Sequence, residues 1–175
     1  RATGGGGAGL SSDDIVNNTA QSIQADLPAQ LDLDDAGETT FVIQPNGLLT
    51  SLMIVLQQEI VKFNKLLGVL AASLVQIQKA IKGLVLMSID LDAMYTAMLN
   101  NAVPPIWEKV SFASLKTLGS WVKDLIFRVG FMKNWLVKGQ PTSFPLNLFF
   151  FPQGFMTGTM QTFARKYAVP VNKLD

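Results

Sequence analysis

One stretch of the chain fits a motif for phosphate binding. It is the glycine run at residues 4–9, which matches the pattern G-x-G-x-x-G. In working phosphate-binding loops a strand precedes the glycines, and the amides at the N-terminus of a following helix hold the phosphate. Nothing resembling a strand precedes Gly4, and the sequence has no G-x-x-x-x-G-K-(S/T) motif. We therefore interpret the run as a flexible linker.

The sequence contains no cysteine and no histidine. Their absence excludes a thiol nucleophile, an imidazole base, a disulfide and the usual zinc ligands. A pair of carboxylates or a serine–lysine pair could still support catalysis, but neither occurs in a recognisable setting. We predict no catalytic, cofactor-binding or metal-binding residue here, and hence a segment that is not itself an enzyme.

Composition and charge point to a protein partner. Hydrophobic residues make up 49% of the 175 residues and charged residues 15%, which is apolar for a free domain, so we expect some apolar surface to face another body. Residues 1–45 carry seven acidic groups and one basic group, and residues 46–175 carry six and thirteen. The basic groups are scattered singly, which disfavours nucleic acid. We expect no membrane span and no signal peptide, and we expect the chain to be a piece of a longer protein.

The element that must position everything else is a long amphipathic helix within residues 48–98. Its apolar residues alternate in steps of four and three, which places them in one seam: Leu56, Ile60, Phe63, Leu67, Leu70, Leu74, Ile77, Ile81 and Leu84. The spacing suits a coiled coil or a bundle core, and we favour the bundle because Val61, Leu66 and Val75 widen the stripe. Glu59, Lys62 and Asn64 are assigned to the solvent-exposed face of the helix. We expect the helix to end near Gly83.

Three further helices follow from local signals. Ser11 and Asp14 form a predicted capping box that opens a helix ending at Pro28, and an acidic connector follows it. Ser88 is expected to cap a helix that runs to Leu99. A third helix is expected over residues 116–137, with Asp124 pointing outward.

Strand signals are few and lie near the C-terminus. Residues 146–151 form a short apolar run between two prolines, which predicts a buried strand or extended segment. From residue 153 the apolar spacing is helical, and residues 169–174 are expected to begin another strand. The predicted fold class is mainly α, an irregular helical bundle with a long amphipathic helix and one or two short strands near the C-terminus.

Three stretches of the chain carry long motifs of specific residues. Residues 56–88 carry QE-x-x-(K/R)FN-x-LL followed by SL and KAIKGLV, and residues 103–135 carry VP-x-x-W and SLK-x-LGSWV-x-DL-x-x-R-x-x-F-x-x-W. Residues 149–175 begin FFFPQGF and continue to ARK. In this order the motifs resemble the C-terminal region of dynein heavy chains, and the last one resembles the axonemal branch of that family. Residues 144–148 depart from the usual FWLSG. The chain therefore resembles an axonemal dynein heavy chain nearly from end to end.

The resemblance implies a division and a role. Residues 1–43 would be the glycine-rich lead-in, short helix and acidic connector that end the sixth AAA+ module, and residues 44–175 a helical cap, truncated before a β-rich subdomain. The parent would be a minus-end-directed, ATP-driven microtubule motor of the cytoplasm and the ciliary or flagellar axoneme. ATP and magnesium would act elsewhere in it. The partners implied are the AAA+ ring of the same heavy chain, and microtubules and other dynein subunits through the parent.

The residues singled out for structure or for docking on the ring are mostly aromatic. Tryptophans at these spacings are more often core residues than ligand stackers. The two cations are either surface charges or contacts to the ring. An independent helical adaptor or scaffold is the alternative function, and a membrane-active amphipathic bundle is disfavoured because no face combines clustered cations with a large apolar stripe. The candidates are Phe63, Trp107, Lys116, Trp121, Arg128, Trp135, Phe150 and Phe155.

Overall fold

The computed structural model describes residues 9–47, 49–152 and 156. Within these residues the protein forms five α-helices, two short 3-10 helices and no strand, so the mainly helical fold class is confirmed. The 3-10 helices are Leu33–Asp35 and Leu146–Leu148. The α-helices are α1 (Ser12–Asp26), α2 (Ser51–Ile81), α3 (Ile89–Leu99), α4 (Pro105–Glu108) and α5 (Leu118–Lys138).

Helix α2 is the centre of the bundle. It is 31 residues long, or about 46 Å at 1.5 Å per residue. It contacts each of the other four α-helices, and its predicted seam is buried from Leu56 to Ile77. The bundle interpretation is therefore confirmed. Val61 and Val75, which were expected to widen the buried stripe, are exposed, because the stripe widens on the other side of the seam, where Leu66 is buried as expected.

The C-terminal end of α2 lies where the glycine predicted it. Gly83 has φ +75°, its amide bonds to the carbonyl of Ala80 at 3.0 Å, and the amide of Leu84 bonds to the carbonyl of Lys79 at 2.9 Å. These two bonds form a Schellman cap. Because the backbone turns here, Leu84 leaves the seam and its side chain is 71% exposed, so the prediction of a buried Leu84 was wrong.

By length and mean hydropathy, α2 is able to span a membrane. Its most apolar window has a mean hydropathy of 1.5, and 44% of that window is buried inside the protein. The sequence-based expectation that no window qualifies was wrong by this measure. The reason is that the seam is apolar enough to raise the average, and the core helix of a bundle passes the same test as a spanning helix.

Helix α1 packs into the same core as α2. The capping box is confirmed, since the hydroxyl of Ser11 accepts from the Asp14 amide at 3.1 Å and the Ser11 amide donates to the Asp14 carboxylate at 3.3 Å. Val16 and Ala20 are fully buried in the common core. Tyr95 on α3 donates a 2.6 Å hydrogen bond to Asp13. The division between residues 43 and 44 stays a prediction.

The acidic connector is pinned between α2 and α5. The Asn64 side chain on α2 accepts from the amide of Leu31 at 2.7 Å and donates to its carbonyl at 2.8 Å. Farther along, the hydroxyl of Thr40 and the amide of Gly37 both donate to the carbonyl of Leu136, at 2.7 and 2.9 Å. Asn64, assigned from sequence to the solvent-exposed face, therefore fixes a loop to the long helix.

Of the two alternatives predicted for residues 146–151, the strand is absent, and an extended backbone is found at Phe149. The backbone instead forms the 3-10 helix Leu146–Leu148, and Phe149 follows in extended conformation. No strand among the described residues pairs with this segment. The amides of Phe150 and Phe151 instead donate to a side chain of α2. The helix expected from residue 153, with Phe155, and the strand expected at residues 169–174 lie outside the described residues.

Candidate functional site

A buried acidic side chain on α2 holds the backbone of the segment after α5. Glu59 is 2% exposed, and its carboxylate accepts from the amide of Phe150 at 2.7 Å and from the amide of Phe151 at 3.0 Å. From α5, the Arg128 guanidinium donates to the carbonyl of Phe149 at 3.4 Å. Three consecutive residues are thus held by two charged side chains from two helices. We call Glu59, Arg128 and residues 149–151 the backbone clamp.

The guanidinium of Arg128 has two further contacts besides the carbonyl of Phe149. Arg128 donates to Asp124 at 3.1 Å, one helical turn earlier, and its guanidinium lies 3.7 Å from the ring centre of Phe112. Asp124 also pairs with Lys116 at 3.4 Å. Asp124 therefore does not point outward, and Arg128, which is 8% exposed, is not a surface charge. Both side chains can be buried because each provides the opposite charge that the other needs away from water.

The electrostatics of the clamp reflect burial. Burial raises the pKa of the Glu59 carboxyl, and the two amides, Lys62 and Arg128 oppose that rise. Burial likewise lowers the pKa of the Arg128 guanidinium, while Asp124 and Glu59 oppose the fall. Both oxygens of Glu59 already accept backbone hydrogen bonds. The arrangement is therefore suited to holding a backbone rather than to transferring a proton to a substrate.

Beside the clamp lies an aromatic cluster. Trp121 stacks on Trp107 and on Phe112 with ring centres 5.6 and 5.7 Å apart. Phe63 meets Phe150 edge to face at 4.6 Å. Phe112 also contacts both of these phenylalanines, which joins the cluster to the clamp.

The predicted candidates separate into three groups. Phe63 and all three tryptophans are core residues, at most 2% exposed, which confirms the core interpretation of the tryptophans. Trp135 lies apart from the main cluster, against Phe144 and Phe149. Phe150 is partly buried in the clamp, whereas the side chain of Lys116 is 52% exposed. Phe155 lies outside the described residues.

No metal-binding group stands out in the part of the protein that the structure describes. Within residues 9–47, 49–152 and 156, no three His, Cys, Asp or Glu side chains lie close enough together to hold an ion. An open cleft of about 440 Å³ lies between α1 and the start of α5, and its ionisable residues, Asp26 and Lys123, are both exposed. The clamp therefore remains the most developed polar site of the described residues.

Comparison with known proteins identifies the fold's family. A family model described as the C-terminal domain of the dynein heavy chain matches residues 1–175. The protein belongs to the dynein heavy chain family. It is 47% identical over 170 residues to dynein axonemal heavy chain 6 of Homo sapiens, 40% over 166 residues to axonemal heavy chain 1 of Rattus norvegicus, and 39% over 169 residues to axonemal heavy chain 3 of Homo sapiens. These matches confirm the resemblance on which the sequence analysis relied.

This dynein segment covers only a small share of the length of the proteins that it matches. The three alignments span 97%, 95% and 97% of the segment but 4% of each relative. The activity of a whole heavy chain is therefore not a finding about these 175 residues.

Sequence reasoning missed Glu59, although a signal for it was present. Beside the seam, a row of α2 that recurs every seven residues is also buried throughout. It contains two polar residues, Glu59 and Ser73, and each has a specific partner inside the dynein segment: the clamp amides and the indole of Trp107. A polar residue within a regular buried row indicates such a partner. The row is Leu52, Glu59, Leu66 and Ser73.

Proposed function

We propose that the protein is a non-catalytic C-terminal segment of an axonemal dynein heavy chain, which is a minus-end-directed, ATP-driven microtubule motor of the ciliary or flagellar axoneme. In this proposal the segment packs on the AAA+ ring of its own heavy chain and passes strain between modules. ATP and magnesium act in the ring, and microtubules and the other dynein subunits are partners of the whole motor. The family membership and the axonemal relatives support this assignment.

The observation that carries the docking role is an apolar surface at the turn between α2 and α3. Four large apolar side chains lie there within six positions of one another, and they are 40% to 91% exposed, although the bundle beneath them is well packed. A group of exposed large apolar side chains at one turn favours a contact with another protein surface. We call it the turn patch, and its members are Leu84, Leu86, Met87 and Ile89.

The turn patch replaces most of the docking candidates drawn from sequence. Phe63, Trp107, Trp121 and Trp135 are buried and so act inside the segment, by keeping it rigid. Lys116 is exposed beside the clamp and is retained as a candidate contact to the ring.

The test uses the full heavy chain with the double substitution Leu86→Asp and Ile89→Asp. Both side chains are about nine-tenths exposed, so the substitutions leave the core unchanged. We expect slower microtubule gliding and lower force, with nucleotide affinity of the ring within about twofold of normal. The matched control is Phe127→Asp, since Phe127 on α5 is 65% exposed and is not a member of the patch. Normal motility of the double variant would refute the docking role of the patch.

A further inference from the structure

The clamp has a property that the proposed function does not require. The backbone of residues 149–151 is attached to α2 through one carboxylate, which accepts the amides of Phe150 and Phe151, while the rings of Phe149 and Phe150 pack in the core. Hydrogen bonds to an ionised acceptor are stronger than those to a neutral one, so this attachment depends on the charge of Glu59. A protonated carboxyl keeps one acceptor oxygen, but its hydroxyl presents a proton toward one of the amides.

We propose that Glu59 is a releasable latch, which holds the backbone amides of Phe150 and Phe151 on α2 while it is ionised and releases these amides when it is neutral, with the rings of Phe149 and Phe150 still packed in the core. The bundle survives release because the apolar core, which includes the rings of Phe149 and Phe150, does not involve the carboxylate. What release changes is the backbone at Phe150 and Phe151, just before Pro152.

The surroundings of Glu59 make neutralisation accessible. Its burial in the helical core disfavours the charged form and raises its pKa. The charged groups that face it are Lys62, on its own helix, and Arg128, on α5, and both favour the ionised form. Asp124 pairs with the same guanidinium and offsets part of its positive charge. Asp124 also pairs with Lys116.

Release also has a defined route. Phe151 is 46% exposed, and the ammonium of Lys62 lies 5.1 Å from its ring centre, at the surface of the bundle. The Arg128 bond to the carbonyl of Phe149 is the longer contact of the clamp, at 3.4 Å. The carboxylate is therefore the principal polar attachment of this backbone, and the guanidinium is a secondary one that supports it.

The test is a titration of the 175-residue protein followed by amide resonances. If the latch exists, the amide protons of Phe150 and Phe151 shift together with one midpoint above the ordinary pKa of glutamic acid, while amides in the middle of α2 do not. Two amides that fail to titrate together, or that move only with the whole bundle, would overturn the proposal.

A substitution provides the second arm. In Glu59→Gln the side chain keeps its shape, but one acceptor oxygen becomes an amide donor. We expect hydrogen exchange at Phe150 and Phe151 to accelerate at least about tenfold and that of α2 to stay unchanged. The control is Glu108→Gln, which neutralises an exposed glutamate on α4. Unchanged exchange in a folded Glu59→Gln variant, or equal acceleration throughout, would overturn the latch and leave the docking role of the turn patch untouched.

Discussion

The indole nitrogen of Trp107 donates a 2.8 Å hydrogen bond to the hydroxyl of Ser73, and both side chains are buried. The same hydroxyl donates back to the carbonyl of Val69 at 2.7 Å, one turn earlier on α2. A serine in the apolar row of the long helix thus provides the acceptor that a fully buried tryptophan needs. It fixes α4 to α2 at one position.

Removing that acceptor should destabilise the bundle. In Ser73→Ala the indole N–H of Trp107 is left buried without a partner, so we expect the free energy of unfolding to fall by about 1–3 kcal/mol. Urea denaturation measures this, with the exposed Ser22→Ala on α1 as the control. A Ser73→Ala variant as stable as the control would show that the bond contributes nothing.

The buried tryptophans of α5 should be essential to the fold. Trp121 and Trp135 are 1% and 2% exposed, so replacement of either by alanine should cost about 3–5 kcal/mol through lost burial and the cavity left behind. Phe127→Ala is the matched control on the same helix, because Phe127 is 65% exposed and its loss should cost less than about 0.5 kcal/mol. Thermal unfolding of the three variants distinguishes these outcomes, and equal losses would contradict the packing described here.

Local signals predicted the helix ends well, because each end is decided by a few adjacent residues. The caps at Ser11 and Ser88 and the glycine after α2 needed no information from the rest of the sequence. The errors at Glu59 and Asp124 have another cause. The partners of Glu59 are far away in the sequence, and the partner of Asp124 is Arg128, which is buried by tertiary packing. From sequence alone, both acidic residues were therefore assigned to the solvent-exposed face of a helix.

The predicted strand failed for the same reason. An apolar run between prolines is compatible with a strand, but a strand needs a neighbour that supplies backbone partners. At Phe150 and Phe151 that role is taken by the Glu59 carboxylate, 91 and 92 positions earlier in the sequence. Only the three-dimensional arrangement reveals this substitution of a side chain for a strand.

Stability should depend on pH through Glu59 in an unusual direction. Because the folded protein raises the pKa of this carboxyl above its ordinary value of 4.5, the folded state binds its proton more tightly than the unfolded state does. The contribution of Glu59 is therefore complete below pH 4.5 and is lost as the pH rises through the folded pKa. Denaturation at a series of pH values should show the wild type losing stability relative to Glu59→Gln as pH increases. A relative gain with increasing pH would contradict this sign.

The segment should not bind ATP on its own. The glycine run at residues 4–9 lacks the lysine and the preceding strand that a phosphate-binding loop needs. Calorimetry of the 175-residue protein with ATP and magnesium should give no binding heat at micromolar concentrations. Tight binding that disappears when the glycine run is deleted would contradict the assignment of nucleotide chemistry to other parts of the motor.

Two glycines should respond oppositely to alanine. A Cβ on Gly37 would overlap the carbonyl oxygen of Val137, at the place where the connector bonds to the end of α5, so Gly37→Ala should destabilise the bundle by about 1–3 kcal/mol. A Cβ on Gly130, in the middle of α5, meets nothing within 4 Å. Gly130→Ala should therefore stabilise the helix by about 0.5–1 kcal/mol, because alanine loses less backbone freedom on folding. Paired urea denaturation curves check both signs, and a harmless Gly37→Ala would show that the connector does not pack against α5 as described.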